Sequence, residues 1–241
     1  MCLHGITANA HVFEPMAELL AARFRITSID QRGHGRAAKP AIGYAAEDYA
    51  RDINDRLSEK TLLIGHSLGA RNALVAGASY PDKVAAVVAI DFTPYIEPEV
   101  FDALEARVEA GGRDFASLEE IRKYLRERYP RLPADAIERR ARHGYESVDG
   151  KWRPLAAPAA MRETCFGLRH DLSSTLKEIR VPVLLLRGEH SKLVSRHAWV
   201  KTCALRPDLP AQEIAGADHY VPEEQPAAVA SAVLDFWDAI Q

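Results

Sequence analysis

The serine motif Gly65-His66-Ser67-Leu68-Gly69 is the feature that most constrains the fold of this chain. It separates a short apolar run, Thr61 to Ile64, from an alanine-rich segment, Ala70 to Ala78. This order predicts a buried strand, a sharp turn and a helix, with Ser67 at the apex of the turn. Glycines two residues to either side leave room for a strained backbone. We therefore expect Ser67 to be an exposed nucleophile beside the N-terminus of a helix, whose N–H groups favour developing negative charge.

This strand–turn–helix motif resembles the nucleophile elbow of the α/β-hydrolases. The resemblance implies a mostly parallel sheet with helices on both faces, and a triad in the chain order serine, acid, histidine. His219 follows a strand-like run, residues 211–215, near the C-terminus. Because this fold has its general base in a loop beyond the last strand, we predict His219 as the base. Asp218 is expected to be a loop residue.

The acid of the triad is less obvious. It commonly follows the strand after the cap, here Val181 to Leu186, but the corresponding position holds Ser191 and no carboxylate. One strand earlier, Val84 to Ile90 ends in Asp91. A carboxylate at that tip can also reach the histidine, because a triad is defined by geometry and not by position in the chain. We predict Asp91 as the acid, with Glu189 as the alternative.

Two backbone N–H groups are needed for an oxyanion hole. The fold resemblance implies that one belongs to Leu68, the residue after the nucleophile, and the other to the loop after the first strand. Leu3-His4-Gly5-Ile6 fits that loop, so Ile6 is the predicted second donor. His4 is expected to stabilise the turn and not to act as a base.

Composition limits the function classes. The 241 residues carry a net charge of −3, which gives no basic footprint for nucleic acid. The longest apolar runs, about seven residues, are too short for a membrane span. Three cysteines without a Cys-x-x-Cys pair suggest free thiols and a cytoplasmic protein. We find no metal motif and expect no metal and no cofactor. The oligomeric state stays open, a homo-oligomer included.

Strand-like and helix-like segments alternate along residues 1–93 and again along residues 171–241, which predicts the two parts of one hydrolase core. Residues 94–170 carry amphipathic helical patterns, including 98–110 and 118–129, and no convincing strand. We expect this segment to form a helical cap above the strand tips.

The start of the chain departs from the fold it resembles. The α/β-hydrolases normally carry two antiparallel strands before the strand that leads to His4, and these are missing here. We expect the first strand to have an unpaired edge, which is a liability for stability and aggregation.

A closer resemblance is carried by ten segments that span almost the whole chain: residues 4–7, 30–35, 65–72, 89–96, 103–108, 128–130, 133–137, 187–189, 191–195 and 216–221. In these segments the chain resembles the α/β-hydrolases of bacterial vitamin B6 degradation. The elbow and the Arg-Gly-His-Gly segment are generic, whereas the Asp91 and cap segments are more specific. In that family the acid does follow the strand after the elbow.

This resemblance implies a substrate with two carboxylates flanking an enamide, cleaved to acetate, ammonia, carbon dioxide and succinic semialdehyde. A buried dianion needs charged, hydrogen-bonded partners. Arg71 and Arg32 are expected to be structural. The family's substrate-binding residues match four positions of this chain: Arg107, Arg128, Tyr129 and Tyr220.

Two other functions remain open at this point. A general carboxylesterase or a carbon–carbon bond hydrolase would share the triad and differ in the cap. A ligand-binding receptor on a hydrolase scaffold would bind without fast turnover. The complete set of Ser67, Asp91 and His219 argues against an inactive scaffold but does not exclude a receptor.

Overall fold

A six-stranded parallel sheet forms the centre of the computed structural model, which describes residues 1–241. The strands of the chain are β1 (Cys2–Leu3), β2 (Ser28–Ile29), β3 (Thr61–His66), β4 (Val84–Ile90), β5 (Tyr145–Val148), β6 (Lys151–Pro154), β7 (Val183–Gly188) and β8 (Ala211–Ile214). The strand order in the sheet is β2-β1-β3-β4-β7-β8, and β5 and β6 form a separate antiparallel hairpin.

Helices connect the strands of the sheet and cover both of its faces, and the expected α/β fold is confirmed. None of the helices combines the length and the apolar character that a bilayer span requires. The helices are α1 (Glu14–Leu20), α2 (Ala46–Asn54), α3 (Leu68–Ser79), α4 (Pro98–Ala110), α5 (Leu118–Arg128), α6 (Ala134–His143), α7 (Pro158–Gly167), α8 (Ser173–Glu178), α9 (Arg196–Leu205), α10 (Val221–Glu224) and α11 (Pro226–Ala239).

The sheet is buried on both faces, as parallel sheets with crossover helices are. Successive residues of β3 alternate between two apolar cores: Leu63 packs with α2 and α3 on one face, and Leu62 and Ile64 pack with α1 and α11 on the other. This burial fixes the strand register, because a shift by one residue would exchange the two faces. The register in turn fixes where the C-terminal ends of β3 and β4 lie.

The first strand has no free edge. Leu3 pairs with Ile29 of β2 on one side and with Gly65 of β3 on the other. The prediction of an unpaired edge on this strand is therefore wrong, because the crossover after β1 places β2 outside it. The free edge on this side of the sheet belongs to β2, which is two residues long.

The segment between β4 and β7, called the cap segment here (residues 94–170), contains α4 to α7 and the β5–β6 hairpin. The prediction that it has no strand is wrong. Asp149 and Gly150 have φ of +51° and +74° at the hairpin turn, the backbone that an Asp-Gly pair favours in two-residue hairpins. The helices at 98–110 and 118–128 agree with the predicted ones to within a residue.

Candidate active site

Ser67 lies between β3, which ends at His66, and α3, which begins at Leu68. Its φ of +52° and ψ of −114° fall in a region that residues with a side chain rarely adopt. Strain of this kind persists only where the surrounding structure fixes it, and it concentrates at functional sites. The Ser67 N–H donates to the Ile90 carbonyl at 2.9 Å, which ties the turn to the end of β4.

The two glycines of the motif allow close packing of backbone against backbone. A Cβ on Gly65 would lie 2.3 Å from the Gly69 carbonyl oxygen, and a Cβ on Gly69 would lie 2.0 Å from the carbonyl oxygen of Leu3. Real Cβ atoms do not approach so closely, so neither position accepts a larger residue without a backbone shift. The left-handed backbone of the turn belongs to Ser67 itself.

Asp91 and His219 are joined by a hydrogen bond. His219 Nδ1 donates to Asp91 Oδ2 at 2.6 Å, and both residues are buried. The same carboxylate accepts a hydrogen bond from the Gly188 N–H at 2.8 Å and another from Ser191 Oγ at 2.6 Å. The bond to Asp91 holds the proton on Nδ1 and leaves Nε2 as an acceptor, the tautomer that a general base needs.

Glu189, the alternative acid, points elsewhere. Its Oε2 accepts a hydrogen bond from the Gly216 N–H at 2.8 Å, and its side chain is about half exposed. Ser191, whose position lacks the expected carboxylate, instead supports the carboxylate of Asp91. The geometry thus favours Asp91 as the partner of His219.

Ser67 and His219 line one cavity together with Asp91, and no hydrogen bond joins the two side chains. In unliganded enzymes the bond between nucleophile and base is often long and tightens only with substrate. His66 Nε2 contacts the His219 carbonyl oxygen at 2.7 Å and so anchors the loop that carries the base. Burial, with the neighbouring His219 adding to it, lowers the pKa of His66, so His66 donates this bond as a neutral ring.

The predicted oxyanion donors lie beside Ser67. Leu68 is the first residue of α3, where a backbone N–H has no partner within the helix. The Ile6 N–H makes no backbone hydrogen bond, and a Cβ on Gly5 would lie 3.4 Å from Ser67 Cβ, which shows how closely this loop approaches the elbow. His4 is buried and accepts the Gln31 N–H at 3.1 Å, a structural role as predicted.

Arg107 and Arg128 hold each other across α4 and α5. Arg107 Nη2 donates to the Arg128 carbonyl at 3.0 Å, and Arg128 Nη2 donates to the Arg107 carbonyl at 2.7 Å. The Arg107 guanidinium lies 5.1 Å from the ring centroid of Tyr129 and 5.8 Å from that of Tyr220. The structure therefore brings the four residues predicted to bind substrate into one cluster. Neither Arg107 nor Arg128 is paired with a carboxylate.

This cluster lowers the pKa of Tyr129. Burial alone would raise it, but the guanidinium groups of Arg140, Arg128 and Arg107 together outweigh burial and lower the pKa to about 8. Arg128 Nε donates to the Tyr129 hydroxyl at 3.0 Å, which also favours the phenolate. Tyr129 is thus poised to titrate just above neutral pH.

Arg140 is a member of this cluster that the sequence analysis missed. It is buried under both tyrosine rings, 4.6 Å from the Tyr129 centroid and 4.9 Å from that of Tyr220. Its Nε donates to both carboxylate oxygens of buried Glu223, at 2.9 and 3.1 Å. Because Glu223 neutralises Arg140, the unpaired positive charges of the cluster are Arg107 and Arg128.

Two cavities meet at His219. The nucleophile lobe is the cavity that contains Ser67, and the arginine lobe is the cavity that contains Arg107 and Arg128; both are also lined by Leu104 and Leu193. Arg71, expected to be structural, lines the nucleophile lobe. Apolar side chains make up much of the rest of that lobe: Leu68, Phe92, Ile96, Val100, Leu104 and Leu168.

One group of side chains outside these lobes has metal-binding chemistry. His11, Glu14 and His143 offer ligand atoms that lie within 4.8 Å of one another at the surface. None of the three lines either lobe. Sequence reasoning missed this group because His143 is distant in the chain, and nothing in the geometry of Ser67, Asp91 and His219 requires it.

Comparisons with known proteins agree with the fold. The model of the Alpha/beta hydrolase family matches residues 1–232. The chain is 53% identical to the 2-(acetamidomethylene)succinate hydrolase of Mesorhizobium japonicum over 98% of this chain and 86% of that protein. A crystal structure of an E-2-(acetamidomethylene)succinate hydrolase superposes with a TM-score of 0.96 at 52% identity, covering 98% of this chain and 90% of the other.

A more distant relative is the esterase YbfF of Escherichia coli, which is 26% identical over 96% of this chain and 89% of its own length. This similarity extends over the triad-bearing core and the cap segment alike. It keeps a simple esterase among the functions to be tested.

Proposed function

Because the chain belongs to the Alpha/beta hydrolase family, we propose that it is the serine hydrolase that cleaves the enamide of (E)-2-(acetamidomethylene)succinate. The observation that carries the proposal is the pair of guanidinium groups, Arg107 and Arg128, that have no carboxylate partner and line a cavity next to His219. A half-buried cation without a partner is costly unless a ligand supplies the anion. A dicarboxylate supplies two.

In the first half of the reaction, Ser67 Oγ attacks the acetyl carbonyl carbon while His219 Nε2 takes the hydroxyl proton. Asp91 stabilises the imidazolium through the Nδ1 hydrogen bond. The N–H groups of Leu68 and Ile6 hold the oxyanion of the tetrahedral intermediate. The C–N bond then breaks, His219 returns the proton to the enamine nitrogen, and Ser67 keeps the acetyl group.

Water completes the reaction. His219 takes a proton from a water molecule, the hydroxide attacks the acetyl ester, and acetate leaves while Ser67 regains its proton. The released enamine takes up a second water and loses ammonia, which leaves a dicarboxylic acid with a formyl group on the carbon that bears one carboxylate, so the aldehyde carbonyl is β to that carboxylate. Such an acid loses carbon dioxide, so the balanced products are acetate, ammonia, carbon dioxide and succinic semialdehyde.

The arginine lobe sets the specificity in this proposal. Arg107 and Arg128 bind the two carboxylates, since a guanidinium matches a carboxylate with two parallel hydrogen bonds. Tyr220 lines the same lobe, and Tyr129, whose hydroxyl accepts a hydrogen bond from Arg128 Nε, packs its ring against Tyr220. Arg140, neutralised by Glu223, fixes the two tyrosine rings and leaves the ligand charge to the other arginines.

The proposal also covers the binding partners and the cellular location of the enzyme. It acts on a small-molecule dicarboxylate and needs no nucleic acid or membrane partner. A cytoplasmic location is supported by Cys2, Cys165 and Cys203, which are all free thiols. Burial raises the pKa of the Cys165 thiol to about 12. This thiol is therefore unreactive at neutral pH.

Steady-state turnover of the enamide and of 4-nitrophenyl acetate tests the proposal. We expect kcat/KM for the enamide dicarboxylate to exceed that for the aryl ester. Faster turnover of the ester would favour a general esterase, as the similarity to YbfF allows. Tight binding of the dicarboxylate without turnover would favour a receptor, and either result would overturn the proposal.

A further inference from the structure

Arg71 is the one buried arginine without a carboxylate partner. Three arginines of the chain are buried, namely Arg71, Arg140 and Arg187. Arg140 is paired with Glu223, and Arg187 Nη1 donates to Glu213 at 2.6 Å. Arg71 has a single hydrogen bond, from Nη2 to the Gly167 carbonyl at 2.6 Å. The rest of its guanidinium is not satisfied by the protein.

This guanidinium belongs to the nucleophile lobe. Arg71 is 4% exposed and lines that cavity together with Ser67. It lies in the first turn of α3, just after the elbow. Burial lowers the pKa of Arg71 to about 10, so the group is still charged at neutral pH. A buried, charged and unpaired guanidinium is unfavourable until an anion binds.

The anion that can occupy this lobe follows from the enamide dicarboxylate substrate, and this inference therefore rests on the proposed function. When the dicarboxylate binds in the arginine lobe, its acetyl group must extend past Ser67 into the nucleophile lobe. The acetyl group is neutral, and its methyl group suits the apolar lining. A carboxylate appears there only when water cleaves the acetyl–Ser67 bond and the acyl group leaves as acetate.

We propose that Arg71 binds the carboxylate product, acetate, released from Ser67 into the nucleophile lobe. Water contributes its oxygen to the acyl carbon, the bond to Ser67 Oγ breaks, Ser67 regains a proton through His219, and the new carboxylate pairs with Arg71. The lobe therefore has an anion site for a small carboxylate, separate from the dicarboxylate site formed by Arg107 and Arg128. Acetate bound there competes with the acyl group of the next substrate.

Inhibition of 4-nitrophenyl acetate hydrolysis by acetate tests this, because that assay does not depend on the identity of the dicarboxylate. In the native protein, acetate should inhibit more strongly than acetamide, its neutral analogue. Arg71→Met should raise the inhibition constant of acetate by about tenfold or more, as expected when a hydrogen bond between charged groups is lost. Arg71→Lys, which keeps the charge, should change it by less than Arg71→Met.

Matched controls separate this site from the arginine lobe. Arg107→Met should leave acetate inhibition of ester hydrolysis unchanged, while Arg71→Met should leave inhibition by acetamide unchanged. Equal inhibition by acetate and acetamide in the native protein would overturn the proposal, and this arm needs no variant to fold. Unchanged acetate inhibition in a folded Arg71→Met protein would overturn it as well. Failure to turn over the enamide would refute only the proposed function.

Discussion

Ser191 donates a hydrogen bond to Asp91 Oδ2 at 2.6 Å, and that oxygen is also the acceptor for His219 Nδ1. Ser191 stands after β7, where the acid is commonly found in this fold, and Asp91 stands after β4. In this chain the carboxylate follows the neighbouring strand, and the serine at the common position of the acid holds that carboxylate in place. The two strands are adjacent and parallel, so the carboxyl ends meet at the same edge.

This relationship predicts the effect of Ser191→Ala. We expect kcat to fall by roughly tenfold, because a hydrogen bond to a charged group contributes about 1.5–3 kcal/mol and only part of it bears on the transition state. KM should stay within a factor of about two, since Ser191 lines neither lobe. Steady-state kinetics with the enamide check both values. A rise in KM with kcat unchanged would show that Ser191 acts on substrate binding.

The position of the acid is tested by Asp91→Asn. We expect kcat to fall by about 10⁴-fold, as happens when the histidine of a triad loses its correct tautomer. Glu189→Gln is the matched control and should keep most of the activity. Ser191→Asp in the Asp91→Asn background should restore part of kcat, because residue 191 is adjacent to the lost carboxylate. A larger loss in Glu189→Gln than in Asp91→Asn would show that the acid has been misassigned.

Charge recognition is tested at Arg107 and Arg128. Replacing either by Ala should raise KM for the dicarboxylate at least about a hundredfold, since losing one member of a buried charge pair costs about 3–5 kcal/mol. Lysine should be a poor replacement, because it lacks the planar fork. Hydrolysis of 4-nitrophenyl acetate should change far less. Equal losses with both substrates would mean that the two arginines chiefly hold α4 against α5.

The lowered pKa of Tyr129 predicts a pH dependence. Above about pH 8 the phenolate adds a negative charge next to the dicarboxylate, so KM for the dianion should rise with pH. Tyr129→Phe should lack this rise, and the neutral ester should not show it. The folded pKa lies below the ordinary value of 10, so the stability that ionised Tyr129 contributes is present above pH 10 and is lost as pH falls through 8. A pH-independent KM in the native protein would contradict the assignment.

The sequence predicts those parts of the fold and the site that are marked by a local motif or by the strand order of a known fold. The turn at Ser67 and the partners Asp91 and His219 follow from motif, strand order and chain order, and the structure brings Asp91 and His219 together. The Asp149-Gly150 hairpin was overlooked although its turn residues are a strong local signal. The hairpin needs only residues close in the chain, whereas the triad follows from the fold resemblance, because Asp91 and His219 come after β4 and β8 with β7 between them.

The Arg140–Glu223 pair could not be read from the sequence. Its members are 83 residues apart, and the cap segment contains many arginines that look alike in a helical pattern. Arg71 is expected to be structural from the sequence, and nothing in the sequence shows that it lacks a carboxylate partner. Partner assignment for long cationic side chains depends on tertiary contacts, and those are visible only in the fold.

Turnover of (E)-2-(acetamidomethylene)succinate by the native protein and by Ser67→Ala, measured side by side with substrate binding, tests the central claim most directly. The native protein should release acetate and succinic semialdehyde in equal amounts. Ser67→Ala should lose turnover and bind the substrate with a Kd within about twofold of the native value, because the oxyanion donors are backbone groups that remain. Ser67→Ala protein that retains substantial activity would contradict the account.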